Sequence, residues 1–241
     1  MDNYAGHKRI LIKKLGKINS IEQLQKALLF IQGKRAASYE RLLRAALKKL
    51  WWDCHDNNKT NWADLEWEMK KYTTTKANKY TKPPLARPDI QSLKDSCNSY
   101  RQVLFITFLA ETGVRVSEMT DILISDCITR GESIEISIIA KKTGIRLYKK
   151  ISHKLFDDIR ETCHGKIYLF ETSGGKSVRP TYVSGEIRKI GKKINKKISA
   201  HSLRHFYATD RVNNGDDPTV VSRSLGHTNN GSLFNNYYTG Q

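Results

Sequence analysis

The sequence predicts a mainly α-helical fold with one small antiparallel β-sheet, an α+β arrangement split into a small helical domain and a larger domain. Three observations lead there. Apolar residues recur every three to four positions over most of the chain, the period of a helix buried on one side. The period changes between Ile134 and Ile151, where apolar and polar residues partly alternate around the turn Lys141-Lys142-Thr143-Gly144. A basic stretch carrying the pair Pro83-Pro84 separates two blocks of helical pattern, as an extended linker does.

Taken in order, residues 1–17 are basic and weakly patterned, and read as an N-terminal arm. Ser20, with Gln23 three positions on, has the form of a capping box and opens a helix over residues 21–31, stopped by Gly33. A second helix covers about residues 38–54. Leu42, Leu43, Ala46, Leu47 and Leu50 make its apolar face, while Arg41, Arg44, Lys48 and Lys49 lie on the other. Asn57-Asn58 breaks it, and a third helix starts near Asn61 with Trp62, Leu65 and Met69 at helical spacing. Trp51, Trp52, Trp62 and Trp67 are expected in the core of this bundle, residues 18–72. Residues 73–86 form the linker, with Lys76, Lys79 and Lys82 as its cations.

The larger domain, residues 87–241, opens at Pro88, a residue suited to the first turn of a helix. Residues 100–111 make a helix so apolar that it must be buried, ending at Thr112-Gly113. Arg115 follows at the start of another helix. A charge beside a buried element needs a partner, either Glu118 one turn on or a ligand. Strands over residues 134–139 and 145–151 pair as a hairpin, and residues 153–163 return to helical pattern. A basic helix over residues 182–194 carries Arg188 and Lys192 toward a nucleic-acid backbone. In His201-Ser-Leu-Arg204-His205-Phe-Tyr-Ala-Thr209, residues three and four apart share a face. His201, Arg204 and His205 therefore point together, while Leu203, Phe206 and Tyr207 turn toward a core. Such a face suits a phosphate, since guanidinium offers a fork of donors matched to its oxygens. Asp217 and Pro218 open a helix that Gly226 ends at His227, and residues 232–238 make a last short helix bearing Tyr237 and Tyr238.

Composition narrows the function. The 241 residues carry a formal net charge of +18, which favours a polyanionic partner, nucleic acid first. No apolar run is long enough to span a bilayer, and the N-terminus lacks the apolar core of a signal peptide. A soluble, intracellular protein working with nucleic acid is expected. Cys54, Cys97, Cys127 and Cys163 are too far apart for a close metal-binding pair and are expected as reduced thiols. Thr172-Ser-Gly-Gly-Lys-Ser177 fails as a nucleotide-binding loop because Phe170 stands where the first glycine is required. His201 and His205 fail as a zinc-protease pair because Ser202 replaces the general-base glutamate.

Four separated stretches occur in a particular order: Thr-Gly-Val-Arg115-Val-Ser-Glu, the Lys141 hairpin, His201-Ser-Leu-Arg204-His, and Leu-Gly-His227 with a tyrosine about ten residues on. Together they resemble the tyrosine recombinase (phage integrase) family of DNA breaking and rejoining enzymes, over roughly residues 85–238. The resemblance implies a helical core-binding domain followed by a catalytic domain. It implies that Arg115 and Arg204 hold the non-bridging oxygens of the scissile phosphate. Lys141, with Lys142 as its neighbour, would protonate the leaving 5′ oxygen. His201 would bind the phosphate and assist proton transfer, and His227 would donate a further hydrogen bond. Tyr237, with Tyr238 as the alternative, would attack phosphorus. The implied partner is a duplex recombination site bound by a homo-tetramer that is a monomer or weak oligomer when free, with no metal or other cofactor. DNA backbone contacts are expected from Arg44, Lys48, Lys76, Lys79, Lys82, Lys142, Arg188 and Lys192. A type IB topoisomerase would use similar chemistry, and a non-catalytic DNA-binding protein would share the charge.

Overall fold

The computed structural model describes residues 4–32, 37–55, 59–72 and 85–227. The linker lysines Lys76, Lys79 and Lys82, and the segment with Tyr237 and Tyr238, lie outside the described residues. The chain divides into two compact units, Met1–Tyr80 and Thr81–Gln241.

The first unit is a helical bundle of α1 (Ala5–Leu15), α2 (Ile21–Ile31), α3 (Ala37–Cys54) and α4 (Lys59–Lys71). Ser20 Oγ accepts from Gln23 N at 3.3 Å, and Asn19 N donates to Gln23 Oε1 at 3.0 Å, so the foreseen cap forms. The expected N-terminal arm is instead α1, anchored by Leu11, which is fully buried in the same core as Leu24, Leu28, Leu47 and Leu65. Burying each such side chain contributes about 1.5–3 kcal/mol, enough to order a helix of weak pattern. Trp51 is buried, but Trp67 is 65% exposed and outside the core expected for it. Leu42 is likewise exposed, one position off the apolar stripe.

Arg44 corrects a second expectation. It is 6% exposed and faces inward, with Nε donating to Glu40 Oε1 at 3.2 Å and Nη2 to the Tyr72 carbonyl at 3.0 Å. Residues i and i+4 share a helix face, so Glu40 neutralises Arg44 locally and takes it out of the basic surface.

The second unit wraps helices around α6 (Tyr100–Thr112), whose Leu104, Phe105, Ile106, Phe108 and Leu109 are all buried. A helix apolar on every side has no solvent face to keep, so neighbours cover it all round. They are α5 (Arg87–Asp95), α8 (His153–Cys163), α9 (Pro180–Lys193) and α10 (Ala200–Asn213). The short helices α7 (Val116–Met119) and α11 (Pro218–Ser224) complete the α-helices among the described residues. The sheet is antiparallel in the order β1 (Cys127–Arg130), β2 (Ser133–Ile139), β3 (Arg146–Ser152). In the β2–β3 register Ile134 faces Ile151, Ile136 faces Lys149 and Ile138 faces Leu147. One face of the hairpin is therefore buried, and a single lysine sits in the middle of that face. The four cysteines are free thiols, with Cys54 exposed and Cys163 buried. No helix among the described residues is long and apolar enough to cross a membrane.

Candidate active site

The site is built where α6 ends. Gly113 caps that helix in the left-handed conformation, at φ 63°. A Cβ there would come within 2.4 Å of Tyr207 Cδ1 and 2.9 Å of Leu225 Cδ2, so only glycine lets α10 and the end of α11 close on this turn. Two residues on, Arg115 opens α7. Its backbone N donates to Glu118 Oε2 at 2.9 Å and its Nη1 to Oε1 at 2.7 Å. The Glu118 side chain is fully buried, while that of Arg115 is 27% exposed. The internal partner foreseen for Arg115 thus exists. It orients one edge of a guanidinium that has five N–H donors.

Arg204 comes from α10, whose Ser199 accepts from Ser202 N as its cap. The arginine is 4% exposed, with Nη1 donating to the Gly113 carbonyl at 2.9 Å and Nη2 to the Leu225 carbonyl at 2.5 Å. The Gly113 contact ties the two arginines together, because Arg115 lies two residues, at most about 7 Å of chain, beyond the carbonyl that Arg204 holds. Arg204 Nη2 also donates to His227 Nε2 at 3.3 Å. A guanidinium cannot accept, so His227 Nε2 is the acceptor and its proton sits on Nδ1.

The imidazoles are all pushed toward their neutral form. Burial, then the charges of Arg204 and Arg115, push the pKa of His201 down. His227 is lowered by burial, then by Arg204, Arg115, Lys142 and His201. His205 Nε2 lies 2.9 Å from His201 Nε2, and burial followed by His201, Arg204 and His227 holds it down at about 4. Two imidazoles in that contact need one N–H and one lone pair between them, which two imidazolium rings could not supply. Arg115, His201, Arg204 and His227 therefore share one electrostatic neighbourhood, although more than a hundred positions separate the first from the last.

The hairpin brings its turn to the same place. The Ala140 carbonyl accepts from Thr143 N at 3.0 Å and from Gly144 N at 2.8 Å, and Thr143 Oγ1 donates to the Gly226 carbonyl at 3.5 Å. The two turn lysines part there. Lys141 is ion-paired with Asp121 and lines a cleft of about 280 Å³ with Glu118, Asp121 and Arg146. Lys142 is the one whose charge acts on His227. Of the residues assigned to backbone contact, Arg188 and Lys192 are exposed one turn apart on α9, and Lys48 is half-buried beside the Trp62 ring at 5.6 Å.

One residue escaped the sequence reading. Lys149 lies on the inward phase of β3, between Leu147 and Ile151, and is 5% exposed. The strict alternation of that strand is the signal in the sequence that marks it as buried.

A model described as the phage integrase family matches residues 83–241. Transposase A from transposon Tn554 of Staphylococcus aureus is 22% identical over 171 residues, covering 64% of this chain and 47% of that protein. Tyrosine recombinase XerA of Pyrococcus horikoshii is 24% identical over 175 residues, covering 68% of this chain and 60% of that protein. The chain thus spans about half the length of the curated relatives it matches. Among solved structures, a lambda integrase dimer bound to a COC' core site matches with a TM-score of 0.76 at 16% identity, over 98% of this chain and 70% of that one.

Proposed function

The chain belongs to the phage integrase family, and from that premise we propose that it is a tyrosine-type site-specific DNA recombinase. It cuts and rejoins duplex DNA through a 3′-phosphotyrosine, without metal or ATP. The observation that carries this reading is that Arg204 holds both the carbonyl of Gly113, two residues before Arg115, and the ring of His227.

The chemistry follows from the residue types. A phosphodiester repels an oxygen nucleophile, and attack concentrates charge on its non-bridging oxygens. Arg115 and Arg204 are preorganised by Glu118 and by two backbone carbonyls to meet that charge. His227 presents Nδ1–H as a further donor. His201, neutral and leaning on His205, takes the phenol proton as Tyr237 attacks phosphorus and the P–O5′ bond breaks. The leaving oxygen takes its proton from a hairpin lysine. Asp121 occupies Lys141, so the role expected of Lys141 passes to Lys142. The phosphotyrosine conserves the phosphoester, and a 5′ hydroxyl reverses the step on a new partner. Lambda integrase has been seen as a tetramer bound to a Holliday junction, and exchange between two duplexes by this chain calls for four subunits in the same way.

The test uses a pool of nicked random-sequence duplexes with EDTA present. Protein–DNA adducts that resist SDS are collected and sequenced, and the modified peptide is identified. Adducts that vanish in Tyr237→Phe support the reading and the nucleophile. Loss only in Tyr238→Phe moves the nucleophile by one residue. No adduct under any condition leaves a DNA-binding protein, and relaxation of arbitrary supercoiled DNA without strand exchange leaves a topoisomerase. A 5′-bridging phosphorothiolate needs no acid, so it should rescue Lys142→Ala and not Arg204→Ala.

A further inference from the structure

Lys149 stands out among the buried groups that the proposed chemistry does not use. It faces inward from β3 opposite Ile136, and its Nζ has no hydrogen-bond partner among the described residues. The ring of Tyr207 lies over Nζ at 4.7 Å. The charged groups acting on it are Arg204 and Arg211 from α10 and Glu118 from α7. A methionine would fill the same strand position without burying an unpaired polar group, which costs about 1–3 kcal/mol.

The neighbours of Lys149 are the parts of the phosphate site. Glu118 holds Arg115. Tyr207 packs where a Gly113 side chain would go, and the Gly113 carbonyl holds Arg204. We propose that Lys149 is a positioning residue of this site: a buried amine behind Arg204 that gains one proton from solvent when an anion docks on Arg115 and Arg204. Phosphate binding and proton uptake are thereby coupled.

Burial, then the charges of Arg204 and Arg211, bring the amine down to about 7, with Glu118 opposing them. An arriving anion offsets the two guanidinium charges and restores the ammonium. By linkage, the ammonium strengthens anion binding by the factor through which the anion favours the proton. Lys149 touches neither the phosphorus nor the leaving oxygen. It adds a third positive charge only once the phosphate has arrived, so the empty site does not carry three adjacent cations.

This inference rests on the phosphate-site reading, and the experiment separates the two. The full chain is labelled with ¹⁵N at lysine Nζ and titrated with and without sulfate, an anion that does not itself titrate near neutrality. One resonance, absent from Lys149→Met, is expected to titrate near 7 and to move up by about one unit with sulfate. Sulfate affinity should then fall about tenfold between roughly pH 6.5 and 9.5 in the wild type, and stay nearly level in Lys149→Met. His201 and His227, both pushed down by burial and by the arginine charges, are present in both proteins, so the comparison isolates Lys149. A midpoint at the ordinary lysine value of about 10.4, or one that sulfate does not move, overturns the inference. So does an equal fall in affinity in Lys149→Met. Should that variant fail to fold, the wild-type titration decides alone. If Arg204→Lys binds sulfate as the wild type does, the phosphate-site reading falls as well. If Arg204→Lys loses sulfate while Lys149 stays unresponsive in the wild type, only the coupling falls.

Discussion

Each unit of the molecule buries an arginine, and the two are held by different chemistry. In the N-terminal bundle Arg44 meets the fully buried carboxylate of Glu40, one turn away on the same helix. In the second unit Arg204 meets the carbonyls of Gly113 and Leu225 and the ring of His227. A carboxylate cancels a unit charge. A carbonyl satisfies the donors and aims the guanidinium while leaving its field to act on what comes near. The difference separates a cation paired with a buried carboxylate from one held by backbone carbonyls, the arrangement that the proposed phosphate site calls for. The pKa values agree, since Arg204 lowers His201, His205, His227 and Lys149 alike.

The sharpest way to break this comparison is to exchange the roles. Arg204→Lys keeps a charge but loses the fork. DNA cleavage, read as covalent adduct per minute on the selected duplex, should fall about 10²- to 10³-fold, beyond the about 1–3 kcal/mol of stability lost as the buried carbonyls of Gly113 and Leu225 lose donors. Unchanged cleavage would remove Arg204 from the site. Arg44→Met should do the reverse. The buried Glu40 carboxylate loses the guanidinium beside it, so the bundle loses about 3–5 kcal/mol, while the double change Arg44→Met with Glu40→Leu recovers most of it. Equal losses in the single and double variants would show that the pair is not coupled.

Gly113→Ala sharpens the comparison at the carbonyl that holds Arg204. The new methyl would meet Tyr207 at 2.4 Å in a left-handed backbone, so a loss of about 2–4 kcal/mol and of cleavage together is expected. Normal cleavage in a stable variant would show that the turn does not place Arg204.

The pH dependence comes next in size. His205 is held at about 4 against an ordinary 6.5, so between those values the unfolded chain binds more protons than the folded one. Stability of the second unit should therefore fall as pH drops from 6.5 toward 4, with a shallower fall in His205→Gln. Thermal midpoints across that range check the sign, and a midpoint that rises on acidification contradicts it. The smallest effect belongs to the surface. Lys192→Ala should weaken DNA binding about equally for all sequences and reduce the salt slope by about one. A slope that stays the same would take Lys192 off the backbone-binding face.

Much of the architecture was legible because local signals agreed with the tertiary result. The apolar run that became α6 could only be buried, and Gly113 stops it where the left-handed cap requires. The basic helix expected over residues 182–194 forms as Pro180–Lys193, starting two residues earlier at the proline, and His153–Cys163 keeps its expected bounds. The facing of His201, Arg204 and His205 follows from helical spacing. Three features were not legible. Residues 5–15 lack a strong pattern of their own, and Leu11 becomes helical because a core is there to receive it. Arg44 reads as a surface cation until α3 is seen to bury both it and Glu40. The two hairpin lysines are neighbours in sequence, and the fold tells them apart, pairing Lys141 with Asp121 and bringing the charge of Lys142 to bear on His227.

By itself the sequence determined the helical pattern, the single hairpin, the excess of positive charge and the order of Arg115, His201, Arg204 and His227. Those depend on spacing along the chain and on residue type, which the one-dimensional pattern carries in full. Only the tertiary structure decided which cations meet a carboxylate and which meet backbone carbonyls. That outcome depends on what lies within a few ångströms across the fold, where the screening of water is lost and a carboxylate or a carbonyl at the same distance gives a different charge.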